Sequence, residues 1–249
     1  MTGSDVPASF SLAYVPGVTP GKWVRTWNER SPEVPLTLIQ VPAAEAADLV
    51  RDRGADATLL RLPMDTAGLH AIPLYTETTV VVAPKDHLVA AADEVSVEDL
   101  ADDVVLHPLD DTLEWTHLPG RPAFERPATT ADAIELVAAG VGLLVVPQSL
   151  ARLHHRKDLT YRPVSDAPQS RVALSWQAGE TTYLMEQFIG IVRGRTVNST
   201  RGRPPALAEG KPADADRRKP AGGKSARSGR QRRSGVPQRR SRGKPRRRS

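Results

Sequence analysis

In Ala43-Ala44-Glu45-Ala46-Ala47-Asp48-Leu49-Val50-Arg51-Asp52-Arg53-Gly54-Ala55-Asp56-Ala57-Thr58-Leu59-Leu60-Arg61-Leu62 the apolar period changes from helical to extended across one glycine. Ala46, Ala47, Leu49 and Val50 form the apolar face of a helix over 42–53. Gly54 is read as its C-cap, because glycine enters the left-handed region at little cost. The short apolar run from Ala57 to Leu62 then marks a buried strand. Upstream, Val34 to Val41 is a second strand and Ser9 to Val15 a third. Pro16-Gly17-Val18 breaks that first strand. Thr19 then reads as an N-cap with Pro20 at the first helical position, and Trp23, Val24 and Trp27 share one face. Ser31-Pro32 closes that helix. The order β-α-β-α-β calls for a parallel sheet covered by helices.

Downstream the chain alternates again. Strands are expected at Leu69–Pro73 and Thr78–Val82. A short helix over Val95–Leu100 is capped by Ser96, and Val104–Leu106 is a strand. Residues 107–128 have the His, Pro, Asp and Gly punctuation of a loop. Thr130 is expected to cap a helix over Ala131–Ala139 that Gly140 ends. Val141–Val146 is a buried strand, and Pro147-Gln148-Ser149 opens a helix through His154. Strands at Leu159–Val164 and Val172–Trp176 precede a last helix, Thr181–Val192, with Leu184, Phe188 and Ile191 on one face.

Charge divides the 249 residues in two. Residues 199–249 hold 18 Lys and Arg against 3 Asp and Glu, a net of +15, whereas residues 1–198 hold 16 against 26, a net of −10. The basic segment has no apolar periodicity and cannot bury a core, so it is expected to be disordered. Absence of cysteine excludes disulfides and thiolate metal sites in these residues and fits a reducing compartment. The N-terminus has no basic and apolar leader, and no apolar run approaches the ~20 residues of a membrane helix. A cytoplasmic protein is expected, with nucleoid association an option for the basic segment.

Four stretches carry a resemblance: residues 12–18 (LAYVPGV), 49–61 (LVRDRGADATLLR), 74–88 (LYTETTVVVAPKDHL) and 133–147 (AIELVAAGVGLLVVP). Their order and spacing are similar to the effector-binding domain of LysR-type transcriptional regulators. The resemblance covers residues 9–195 and implies two Rossmann-like α/β lobes with a hinge and a central cleft, like a type II periplasmic-binding protein. Lobe I would be residues 9–82 plus 166–195 and lobe II residues 83–165. Residues 1–8 and 196–249 would be disordered. Family members carry a winged helix-turn-helix ahead of this domain. The match here begins within ten residues of Met1, so a sensing domain without that head is expected. The resemblance also implies an antiparallel homodimer in which the first helix meets the 131–139 helix of another subunit.

Ligands of open α/β sheets sit beyond the carboxyl ends of strands, near helix N-termini whose free N–H groups suit carboxylates. Carried onto this chain, the effector-binding candidates are Gly17, Val18, Thr19, Arg61 and Leu62 in the first lobe. In the second they are His107, Thr129, Thr130, Val146 and Pro147. The resemblance implies a small organic metabolite, with a carboxylate favoured. Arg61 matches a position that contacts carboxylates in relatives; its structural alternative is a salt bridge at the cleft rim. Thr19 and Thr130 serve as caps in either case. No enzyme motif appears: G-x-S-x-G, a P-loop, G-x-G-x-x-G and H-E-x-x-H are all lacking. Asp110-Asp111 reads as a solvated turn, and His154-His155 lacks a spaced third ligand. No catalytic residue, metal or cofactor is expected. A solute-binding protein without a DNA role and an enzyme on the same fold remain the alternatives.

In the basic segment, Arg201-Gly202-Arg203-Pro204 resembles the AT-hook core. Arg242-Gly243-Lys244-Pro245-Arg246, followed by Arg247 and Arg248, is a looser echo. Gly lets such an extended backbone enter a narrow minor groove while the Arg side chains lie along it. Salt-sensitive binding of DNA or RNA is expected from so many cations. A solvated tail, or one folded against the acidic body, is the alternative.

Overall fold

The computed structural model describes residues 8–179 and 181–195, which build two five-stranded mixed sheets. β1 (Phe10–Tyr14), β2 (Leu36–Gln40) and β3 (Ala57–Leu62) run parallel in the order β2-β1-β3. α1 (Gly21–Arg30) and α2 (Ala46–Arg51) are the crossovers. β4 (Leu69–Thr76) ends the sheet, and β10 (Arg171–Gln177) lies antiparallel between β3 and β4. β3 is buried along nearly its whole length because helices cover both faces. On one face α1 lays Trp27 against Phe10, ring centroids 4.9 Å apart, and Phe188 of α5 (Tyr183–Val192) closes the cluster. On the other, Ala47 and Val50 of α2 pack with Ala13 and Ala55.

The second sheet repeats the plan. β5 (Thr79–Pro84), β6 (Val104–Leu106), β7 (Arg121–Pro122), β8 (Leu143–Pro147) and β9 (Leu159–Pro163) are ordered β7-β6-β8-β5-β9. β6 runs parallel to β7 and β8, and β5 antiparallel to β8 and β9. α3 (Thr130–Ala138) and α4 (Gln148–Leu153) belong to this half, with Ile134 and Val137 in its core. The chain thus passes between sheets twice, at Glu77-Thr78 and again before β10. The two passages are tied together: Glu77 N donates to Ser170 O at 2.8 Å, and Thr79 Oγ1 donates to Pro168 O.

Four local expectations are corrected. The strand at 79–84, grouped by sequence order with the first unit, pairs in the second sheet, where Val80 and Val81 face Val146 and Val145. Chain order does not determine which edge an apolar strand finds. α1 has Pro20 as its N-cap with no side-chain cap bond, so Thr19 does not cap it. Thr129, not Thr130, caps α3, accepting from Asp132 N at 3.1 Å, while the buried Thr130 hydroxyl donates to Asp110 at 2.9 Å. After α2 the left-handed residue is Arg53 (φ 59°), not Gly54. Gly54 instead packs closely on Leu49: a Cβ there would lie 2.5 Å from Leu49 Cδ1, so that side chain would have to shift. No described helix is long and apolar enough to cross a membrane.

Candidate ligand cleft

β1 leads into the turn Pro16-Gly17-Val18, and Gly17 takes φ +83° there, a conformation in which a side chain is strained. Space forbids one as well. A Cβ on Gly17 would stand 2.8 Å from Ser149 Oγ and 2.9 Å from Arg61 Nη2. This bare backbone therefore lies directly against the start of α4 from the other sheet. Beside the contact opens a cleft of about 920 Å³. Its walls are Tyr14, Gly17 to Gly21, Leu38 and Gln40 on one side, and Gln148, Ser149, Arg152 and Leu153 of α4 on the other. Tyr75 to Thr78, the first passage between sheets, form the back.

A buried ionic network stands behind this wall. Arg61 and Glu77 are each 6% exposed. Arg61 Nε donates to Glu77 Oε2 at 2.7 Å, Nη1 to Pro16 O at 2.8 Å and Nη2 to Ser149 Oγ at 3.0 Å. Ser149 Oγ donates to the other oxygen of Glu77, and Ser170 Oγ donates to Oε2 at 3.0 Å. Buried charges of this kind are tolerated when both are paired and hydrogen-bonded. The pair links β3, the Gly17 turn, α4 and both passages between the sheets. Burial, with Glu77 adding and Arg61 opposing, pushes the Tyr75 phenol above its usual range. Tyr75 is thus a neutral hydroxyl at the back of the cleft.

Of the candidates from sequence, Gly17, Val18 and Thr19 line the cleft. Arg61 is the buried salt bridge just described and reaches the lining only through Glu77 and Ser149. Leu62 packs on the first sheet's core. Val146 and Pro147 are buried in β8, and neither they nor His107, Thr129 or Thr130 are on the lining. His107 is instead buried among the 107–128 loop. Arg126 Nε donates to its carbonyl at 2.8 Å, and its Nε2 has no partner among the described residues. Burial pulls its imidazole below the ordinary 6.5, against the opposing pull of Asp111. Asp111 is pushed up by burial and is held by Leu113 N and Trp115 Nε1. Among the described residues no three His, Cys, Asp or Glu side chains gather as a metal site. The nucleic-acid candidates Arg201, Gly202, Arg203, Pro204, Arg242, Lys244, Arg246, Arg247 and Arg248 lie outside the described residues.

Sequence reasoning missed Tyr75, Glu77, Ser149 and Arg152. The available signals were a lone carboxylate between two apolar strands at Thr76-Glu77-Thr78, and a hydroxyl in the first turn after Pro147.

Comparison with known proteins agrees with this architecture. The LysR substrate binding domain model matches residues 10–196. A probable hydrogen peroxide-inducible genes activator of Mycobacterium avium is 34% identical over 130 residues, 49% of this chain and 42% of the relative. This chain therefore matches less than half of that relative's length. The effector binding domain of BenM, solved with its effector benzoate, is similar at a TM-score of 0.65 and 16% identity, over 76% of this chain and 92% of that one. The reduced form of the OxyR regulatory domain from Pseudomonas aeruginosa is similar at a TM-score of 0.57 and 22% identity, over 76% of this chain and 96% of that one. The curated relatives are named as gene activators and transcriptional regulators.

Proposed function

We propose, from the premise that this chain belongs to the LysR substrate binding domain family, that its cleft receives a small organic effector and that occupancy is read out in transcriptional regulation. The observation that carries this is the cleft's position. It is walled by elements of both sheets and backed by Tyr75–Thr78, where the chain passes between them. A ligand that touches both walls favours one relative placement of the two sheets, and only such differential contact can shift a conformational equilibrium. Two tyrosines, Leu38 and Leu153 supply apolar area. Gln40, Gln148 and Thr19 supply hydrogen bonds, the usual mixture for a small-molecule site. The effector is read as a small carboxylate, the class of the benzoate held by the BenM domain. The signal is reversible occupancy and not thiol oxidation, since none of the 249 residues is cysteine.

Nucleic-acid contact is assigned to the basic residues 199–249 through phosphate neutralisation. A homodimer is the proposed assembly and the cytoplasm the proposed compartment. The central test is a thermal-shift screen of small metabolites on the full chain. A ligand at ~100 times its Kd adds about 2.7 kcal/mol of stability. Gln40→Trp, on the exposed edge strand, puts an indole into the cleft lining and is expected to weaken that response while leaving the unliganded Tm unchanged. A chain that no small molecule stabilises would end the proposal.

A further inference from the structure

We propose that Arg152 holds the effector's anionic group, and is the specificity-determining residue of the cleft. This rests on the reading of the cleft as the effector site. Among the described residues only two lining side chains carry charge, Glu77 and Arg152. Glu77 is neutralised by Arg61 and saturated by the hydroxyls of Ser149 and Ser170. Arg61 in turn spends Nε, Nη1 and Nη2 on Glu77, Pro16 and Ser149. Neither member of that pair offers net charge to a ligand.

Arg152 differs. It sits three residues after Ser149 on α4, so the two share a helix face toward the cleft. Its Nε donates to the Tyr161 hydroxyl at 3.2 Å, which fixes the direction of the guanidinium. Its Nη donors have no partner among the described residues, and the residue is exposed and on the cleft lining. A guanidinium anchored by one nitrogen and free at two others presents a planar fork, the geometry that matches a carboxylate with two bonds. The α3 N-terminus is another place in the second half of the molecule where an anion could bind. It lies off the cleft, and its Thr130 hydroxyl already holds the carboxylate of Asp110. Among the described residues the lining therefore supplies one available cation, Gln148 beside it on the same helix, and a remainder without net charge. A ligand suited to it has a single anionic group on a neutral, largely apolar body.

The test is calorimetry and thermal shift on the full chain with small carboxylates and their primary amides, benzoate and benzamide being the reference pair. Carboxylates are expected to bind and the matched amides to bind more weakly. Arg152→Gln should lower carboxylate affinity by about tenfold or more, the worth of a charge-assisted hydrogen bond, and erase the preference over amides. Arg152→Lys should restore part of it. Neither variant should change the unliganded Tm, because the side chain is exposed. If Arg152→Gln keeps carboxylate affinity within about twofold, or amides bind wild type as well as acids do, Arg152 is not the anchor. Gln40→Trp separates that failure from a deeper one. Ligands whose binding it weakens occupy the cleft whatever Arg152 does. Ligands whose affinity it leaves unchanged, or a wild-type chain that binds none, overturn the cleft reading and this proposal with it.

Discussion

Arg61 Nε donates to Glu77 Oε2 at 2.7 Å, and both side chains are almost wholly withdrawn from solvent, at 3% and 5% exposure. Arg61 belongs to β3 of the first sheet. Glu77 occupies the residue at which the chain leaves that sheet for the second. Their bond pins the passage between halves of the molecule to the strand that abuts the cleft.

Glu77→Ala is expected to be severe. It leaves the Arg61 guanidinium buried without a counter-charge and deprives Ser149 and Ser170 of their acceptor. Removal of one partner of a buried pair costs about 3–5 kcal/mol. Urea denaturation of the variant beside wild type measures it. A loss below about 1 kcal/mol, the range of exposed pairs, would show that the network is solvated in solution.

Gly17→Ala tests the close approach of the β1–α1 turn to α4. The added methyl must fit a left-handed backbone, at about 1–2 kcal/mol, and displace Ser149 Oγ and Arg61 Nη2 from under 3 Å. Stability should fall, and the thermal response to ligand should fall with it. A variant of unchanged Tm that keeps its ligand response would place the turn away from α4.

His107 makes stability depend on pH. Its imidazole is held below the ordinary 6.5 chiefly by burial, so the folded chain takes up this proton less readily than the unfolded chain. The contribution is complete above 6.5 and is lost as pH falls below it. Asp111, raised by burial, works with the opposite sign: its contribution is present below 3.8 and lost as pH rises through its folded value. Between about pH 7 and about pH 5.5 the unfolding free energy should decline, and His107→Asn should flatten that decline. An identical slope in the variant would assign the pH dependence to other groups.

The basic segment should govern nucleic-acid binding and its salt dependence. A chain that neutralises about 6–10 phosphates loses ~10³–10⁵ in affinity between about 50 and 200 mM salt. Gel shifts of the full chain should follow that slope, and a chain ending at residue 198 should bind at least tenfold more weakly at low salt, about 1.4 kcal/mol. Equal binding by both forms would remove any role for these 18 cations.

The elements themselves were legible because each follows from local pattern. The helix-to-strand switch across Gly54 put β3 at its observed bounds, and Val104–Leu106 and the last helix were read from apolar period alone. Caps were misplaced by one residue, since Thr129 and Thr130 are chemically equivalent until the direction of the chain at the helix start is known. The pairing of β5 was hidden for a related reason. Val80, Val81 and Val82 are apolar enough to enter either sheet.

The cleft shows the same division more sharply. Sequence alone determined that the chain is α/β, which turns are bare enough for close contact, and that the acidic body and basic segment have separate chemistry, because these depend on near neighbours along the chain. Tertiary structure decided what Arg61 is for. A guanidinium at the end of a strand serves a ligand or a buried carboxylate equally well. The choice fell to Glu77, 16 residues away, and to Ser149, 88 residues away. Desolvation makes an unpaired buried charge costly, so these side chains satisfy one another, and Arg152 is left as the cation that faces the cleft.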